Sequence, residues 1–320
     1  MKTLRLVSPI LAIGLLVFGF VWWSPKMVPS TPAESPVLAT RPANIIRLGL
    51  VPEHDIFALR KSYQKLAGYL SRKLQQPVEM VTLHTYEAVL FDFKERQIEG
   101  AFLGSLVAVL AIEQQNAQAL AAPQRADGSS SYRSVLFVPE TSSITSISQL
   151  KGKTVAAVRT TTAGCLFAMQ QLTKAGLADG PGAPALLAVG THDDVPKAVL
   201  GGQADAGSVK DLRLEAYLAA NPTAKVRRLA MSRPVPNNAL VVRADLADGL
   251  GQRIAEALLE MERDPQGREA LAELGAVRFV PVTAEEYRPV YDMIRDIGTA
   301  WERVGIQCVP PKGPATRPAR

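Results

Sequence analysis

Lys153-Thr154-Val155-Ala156-Ala157-Val158-Arg159-Thr160-Thr161-Thr162-Ala163-Gly164-Cys165-Leu166-Phe167 is the stretch on which the fold is decided. Thr154 to Val158 reads as a buried strand and residues 164–175 as a helix, with a hydroxyl-rich turn between them. The first N–H groups of a helix lack internal partners and the helix dipole favours negative charge there, so this arrangement suits an anion. Threonine hydroxyls add donors, and Gly164 allows close backbone approach. The plainer alternative is that one threonine simply caps the helix.

The alternation continues on both sides. Ile45 to Val51 reads as a first strand, followed by Leu59, Tyr63, Leu66, Leu70 and Leu74 at helical spacing. Strands at 78–83 and 98–103 alternate with helices at 86–96 and 105–114. Tyr132 to Val138 is a further strand, and beyond 154–158 come strands at 185–189, 204–209 and 226–231 with helices at 194–201 and 212–219. Asn238 to Val242 looks like a return to the first sheet, and helices at 251–263, 267–274 and 284–297 complete the body. Strands alternating with helices imply α/β units, with parallel or mixed sheets covered on both faces. The pattern gives two such units, the second inserted into the first. Ligands of open α/β sheets sit beyond the carboxyl ends of the strands and at domain interfaces, which places a site in the cleft between the units.

The 320 residues carry a formal net charge of +6. Lys2, Arg5, Lys26, Lys312, Arg317 and Arg320 lie at the two ends, where no acid accompanies them, so the body between is close to neutral and a nucleic-acid face is not supported. Lys2 and Arg5 precede an apolar run ending at Trp22-Trp23, which suits an N-in membrane anchor or a secretory signal over residues 1–26. No small-x-small cleavage site follows at once, which favours the anchor; cleavage near Pro32-Ala33 is the alternative. Residues 27–44 are a proline-rich linker, and 306–320 read as a disordered tail. Either N-terminal reading exports the body, to the periplasmic face of the inner membrane or to the periplasm. Cys165 and Cys308, the only two cysteines, could pair there, but their distance in sequence does not favour it. No metal spacing, dinucleotide fingerprint or P-loop lysine occurs, and no cofactor is expected.

Four stretches, in order and spacing together, resemble the periplasmic phosphate/phosphite/phosphonate-binding proteins of ABC transporters, within the type II solute-binding fold. They are Thr85-Tyr86-Glu87-Ala88 with Ile98 to Gly104; Asp127-Gly128 with Tyr132 to Leu136; Gln149 to Ala156; and Thr161 to Gly164 with Gly190-Thr191-His192, Gly202 to Ala206 and Pro234 to Asn238. The resemblance covers about residues 45–300. It implies two lobes, 45–135 with 237–305 and 136–236, closing on a small oxyanion. It further implies that Thr161, Thr162 and Ala163 occupy the anion turn, that His192 donates to the oxyanion, and that Tyr86 reaches it from the first lobe. His54, in the loop after the first strand, faces the same crevice. Asp205 and Tyr132 are read as structural, and Arg159 either adds charge or pairs at the surface.

Departures from the family pattern narrow the ligand. Leu103-Gly104 stands where Tyr-Gly is frequent, and Ala163 replaces a hydroxyl. In aminophosphonate binders an acid follows the Pro-x-Pro-like turn, where this chain has Asn238; a second acid follows the strand after Asp205, and Asp211 lies about one residue out of register. These acids would hold a ligand ammonium, so an inorganic or simply substituted oxyanion fits better. The expected partner is an ABC permease; a membrane-tethered sensing domain of the same fold, working with a membrane sensor, is the alternative. An enzyme is not expected. Its one foothold is Cys165 at a helix start with His192 as base, a less favoured hydrolase reading.

Overall fold

Alternation in β1 (Ile46–Leu50) sends Ile46, Leu48 and Leu50 to one face, where they join Tyr63, Leu66 and Leu70 from the apolar stripe of α1 (Ile56–Leu74). The structure, a computed structural model, describes residues 45–51, 56–83 and 86–298, with the backbone alone for 56–59 and 86–87. The expected anchor, linker and tail, together with His54 and Cys308, lie outside the described residues. Among those described, no helix is long and apolar enough to cross a membrane.

The chain continues through β2 (Val78–Thr82), α2 (Tyr86–Lys94), β3 (Gly100–Leu103), α3 (Ser105–Gln115) and β4 (Gln118–Gln124). A short β5 (Ser131–Tyr132) leads into β6 (Ser134–Pro139) and β7 (Thr154–Val158). A π-helical turn, Thr162–Leu166, runs into α4 (Phe167–Lys174), followed by β8 (Ala185–Val189), α5 (Asp194–Leu200), β9 (Ala206–Lys210), α6 (Asp211–Ala220) and β10 (Val226–Met231). β11 (Val235–Pro236), β12 (Ala239–Val242), α7 (Leu250–Leu259), α8 (Pro265–Glu273), β13 (Arg278–Pro281) and α9 (Arg288–Asp296) complete it.

Two mixed sheets result, ordered β13-β4-β12-β3-β1-β2 and β10-β6-β9-β7-β8. In the first, β1 runs parallel to β2 and β3, while β12 returns antiparallel between β3 and β4. In the second, β7 runs parallel to β8 and β9. The connections between the sheets pair with each other: β5 and β11 form a two-stranded antiparallel ribbon. Helices cover both faces of the second sheet. A Cβ on Gly207 would meet Val195 and Val199 of α5, whereas the neighbouring Ser208 donates to the Ala163 carbonyl of the π-turn on the opposite face. α9 packs on both α3 and α4, and one apolar cluster runs from Leu103 and Leu106 through Val135 and Leu166 to Val290 and Met293.

The structure adds three strands that the sequence pattern does not announce: β4, β13 and the two-residue β11. β4 is rich in alanine and contains Pro123, a composition poor in strand formers. It persists because β12 and β13 flank it, and Pro123 itself pairs only with Phe279 of β13. β13 has four residues, too few for periodicity to register. The strand expected over 132–138 breaks at Arg133, where the chain passes from the ribbon into the second sheet. The helix expected over 284–297 opens with a 3-10 turn, Ala284–Tyr287.

Candidate functional site

β7, β8 and β9 run parallel, so their carboxyl ends share one edge of the second sheet, and Val158 sits opposite Val189. The loops starting at Arg159 and Gly190 therefore leave that edge side by side. Thr160 bends the chain with φ 52, a conformation that a β-branched residue adopts only under strain. Thr161 then caps the π-turn: its hydroxyl donates to the Val158 carbonyl at 2.9 Å and accepts from the Gly164 amide at 3.0 Å. Its single proton is thus committed. Gly164 is required by the close approach, since a Cβ there would lie 2.4 Å from the Val158 carbonyl oxygen and 2.6 Å from the Thr161 hydroxyl.

The next residues differ. Thr162 is 1% exposed, and its hydroxyl has no hydrogen-bond partner among the described residues. The N–H groups of Thr162 and Ala163 belong to the first turn and likewise have none there. The turn continues into α4, so the dipole of the combined element is directed at these three donors. The Ala163 carbonyl is anchored by Ser208 at 2.6 Å. An unpartnered buried donor costs about 1–3 kcal/mol, and three of them together at a helix start are suited to an acceptor-rich, negatively charged group.

His192 is 0% exposed and sits in a loop clipped by Asp194, whose carboxylate accepts from the Thr191 amide at 3.1 Å and the Thr191 hydroxyl at 2.7 Å. Lys197 bonds the other oxygen at 3.2 Å. Burial pushes the Asp194 carboxyl up, but the bonds from Thr191 and Lys197 outweigh it and hold its pKa below the usual carboxylate range.

The end of β9 was underread in the sequence. Lys210, 3% exposed, donates to the side-chain carbonyls of Asn237 at 3.1 Å and Asn238 at 3.2 Å, and its ammonium lies 4.7 Å from the centre of the Tyr132 ring. Asn238 therefore faces a lysine. Asp211 accepts from the backbone amides of Arg133 at 3.1 Å and Leu212 at 2.8 Å, which fixes the crossing strand to the start of α6. Asp205 holds the Thr154 amide at 2.8 Å. The signal for Lys210 is a charged residue closing a fully buried strand of small and apolar residues, Ala206-Gly207-Ser208-Val209-Lys210. Tyr86 opens α2 in the first half of the chain, and His54 lies outside the described residues.

Cys165 is disulfide-bonded and 0% exposed, which corrects the expectation of an unpaired thiol and leaves no free nucleophile at this helix start. The one other cysteine in the sequence, Cys308, is outside the described residues. Among the described residues no group of histidine, cysteine or carboxylate side chains has the arrangement of a metal site.

Solved structures share this architecture. The Xanthomonas citri protein XAC2383, bound to chloride, matches with a TM-score of 0.71 at 21% identity, over 81% of this chain and 98% of that one. PhnD1 from Prochlorococcus marinus MIT 9301, in complex with methylphosphonate, matches with a TM-score of 0.68 at 21% identity, over 80% of this chain and 98% of that one. The fold is that of the two-lobed type II periplasmic binding proteins. Residues 48–287 match the family of periplasmic substrate-binding proteins of phosphonate ABC transporters, and the chain belongs to that family. A curated relative, the probable ABC transporter phosphite binding protein PhnD1 of Prochlorococcus marinus MIT 9301, is 23% identical over 280 residues, 82% of this chain and 93% of that protein. The family is one of substrate-binding proteins, and these matches do not favour the sensing-domain alternative.

Proposed function

We propose that this protein captures a small phosphorus oxyanion, such as phosphate, phosphite or a simple phosphonate, and delivers it to an ABC permease. The observation that carries the reading is the set of three buried donors at the carboxyl end of β7: the Thr162 hydroxyl and the amides of Thr162 and Ala163. Thr161 shapes that turn through its cap, and His192 forms the neighbouring wall. Asn238 and Asp211 act at the crossing strands, one on Lys210 and one on the backbone. Tyr86, which the family resemblance implies, and His54 are the contacts expected from the first lobe. Closure follows from the ligand's preference for the closed state. Methylphosphonate bound to a relative of the same fold supports the ligand class. Residues 1–26 export the chain and tether it to the inner membrane; mass spectrometry of the exported protein should find residue 1 retained, and a cleaved terminus would refute the tether.

A thermal-shift screen tests the ligand. A ligand at one hundred times its dissociation constant stabilises by about 2.7 kcal/mol. Phosphite, phosphate or methylphosphonate should raise the melting temperature, and sulfate should do less. A shift only with neutral or cationic nutrients would sink the oxyanion reading.

A further inference from the structure

We propose that Arg159 is a further ligand-binding residue, whose guanidinium supplies the positive charge for the oxyanion held by the Thr162 and Ala163 donors. This rests on the oxyanion reading above. The sequence allows two roles for Arg159, charge for an anion or a pair at the surface. Its place in the fold suits the first. Thr161 donates back to the Val158 carbonyl at 2.9 Å, so Arg159 and Thr160 form the corner of a tight turn. That corner directly follows Val158, the last residue of β7, and so stands at the carboxyl edge of the second sheet, where ligands of such sheets sit. Because the turn folds back on itself, the corner stays close to Thr162, and the long apolar stem of an arginine can carry its head group to an anion held there.

The surroundings of the side chain separate the two roles. Arg159 is half-buried, its Nε is buried without a hydrogen-bond partner, and it makes no ion pair among the described residues. An arginine with a structural duty in the same sheet looks different. Arg227 of β10, also half-buried, donates to the carbonyls of Ser142 at 2.9 Å, Ile144 at 3.0 Å and Glu140 at 3.0 Å. A guanidinium presents several donors in a fixed fork, and drawing it partly out of water without partners is costly. An anion at the neighbouring turn removes that cost. The two parts are complementary: the turn offers a hydroxyl and two amides, all uncharged, and the guanidinium offers full charge and a planar fork that matches the oxygens of a phosphoryl group. Ala163 stands where the family resemblance expects a hydroxyl, and the fork makes good that missing donor.

The test is calorimetric titration of methylphosphonate and phosphite into the wild-type protein, Arg159→Gln, Arg159→Met and Arg159→Lys, with a melting curve of each unliganded protein. Arg159→Gln removes the charge and keeps a donor. It should weaken both ligands by about tenfold to a hundredfold, the worth of a hydrogen bond between charged groups. It should melt as the wild type does, since no partner of Arg159 among the described residues is lost. Arg159→Lys, which keeps the charge without the fork, should lose less. Arg159→Met, which keeps the apolar stem, carries the test if Arg159→Gln does not fold. Undiminished affinity in a folded Arg159→Gln or Arg159→Met, or a fall in melting temperature that accounts for the lost binding, would overturn the role of Arg159 and leave the oxyanion site standing. Binding of neither ligand by the folded wild type would instead overturn the oxyanion reading.

Discussion

The carboxyl edges of the two sheets are built alike and finished differently. In the first, the residues that follow or close the strands are apolar and buried: Val51 after β1, Leu83 after β2 and Leu103 at the end of β3. In the second, the same positions lead into Thr160, Thr161 and Thr162 after β7, His192 after β8 and Lys210 at the end of β9, all buried as well. Burying polar groups is costly unless they are bonded, and the second edge retains a Thr162 hydroxyl with no partner among the described residues. Among the described residues, the first half of the chain thus supplies a closing surface and the second supplies donors. On the proposed function, the described donors for the anion lie on the second half, and substitutions in the two halves should have separable consequences.

The largest effect should come from Gly164→Ala. The added Cβ would press on the Val158 carbonyl and the Thr161 hydroxyl, so the turn must move. Overpacking of this kind costs about 1–3 kcal/mol or more, and oxyanion binding should be lost in calorimetry as the melting temperature falls. The matching disruption of the first half is Glu99→Ala. Glu99 is buried just before β3, accepts from the Arg47 amide at 2.7 Å and pairs with Arg243 at 3.8 Å, at the edge away from the carboxyl ends. Removing Glu99 takes the acceptor from the Arg47 amide and breaks a half-buried pair, at a cost of about 1–3 kcal/mol. Denaturant unfolding should show that loss while ligand affinity stays within about twofold, a difference below half a kcal/mol; a large affinity loss would end the proposed division between the halves.

Thr161→Ala removes a helix cap worth about 1 kcal/mol, and because the cap shapes the donor turn, affinity should fall with stability. Asp194 offers a pH signature for the His192 loop. Its folded-state pKa is held below the unfolded value, so its stabilisation is present above the ordinary carboxylate range and is lost as pH falls through the lower folded value. Asp194→Asn should therefore lose stability near neutral pH and show a shallower decline on acidification than the wild type. Identical acid limbs in the two proteins would contradict the clip.

The strand–turn–helix alternation was legible because its apolar residues repeat with the periods of strands and helices, and 154–158, 185–189 and 226–231 match the observed strands. β4 and β13 were not, because tertiary neighbours rather than their own composition make them strands. At the site, the threonine turn was visible as a motif, yet sequence alone could not distribute its hydroxyls. Only the geometry shows that Thr161 is occupied by Val158 and Gly164 while the Thr162 hydroxyl has no partner among the described residues. Lys210 is not legible in the same way, because the resemblance points to an acid and Asp211 stands one residue along; only the geometry shows that Lys210 meets the asparagines while Asp211 holds backbone amides.

On the proposed function, the Thr162 hydroxyl serves the ligand and not the fold. Calorimetry of phosphite or methylphosphonate with Thr162→Val, beside thermal unfolding of the unliganded protein, tests it most directly. A near-isosteric valine removes a buried hydroxyl that has no partner among the described residues, so the unliganded protein should be as stable as the wild type or slightly more so, while affinity falls by about tenfold or more, the worth of one hydrogen bond to a charged group. Undiminished affinity in a folded Thr162→Val, or a large loss of stability without ligand, would contradict the account.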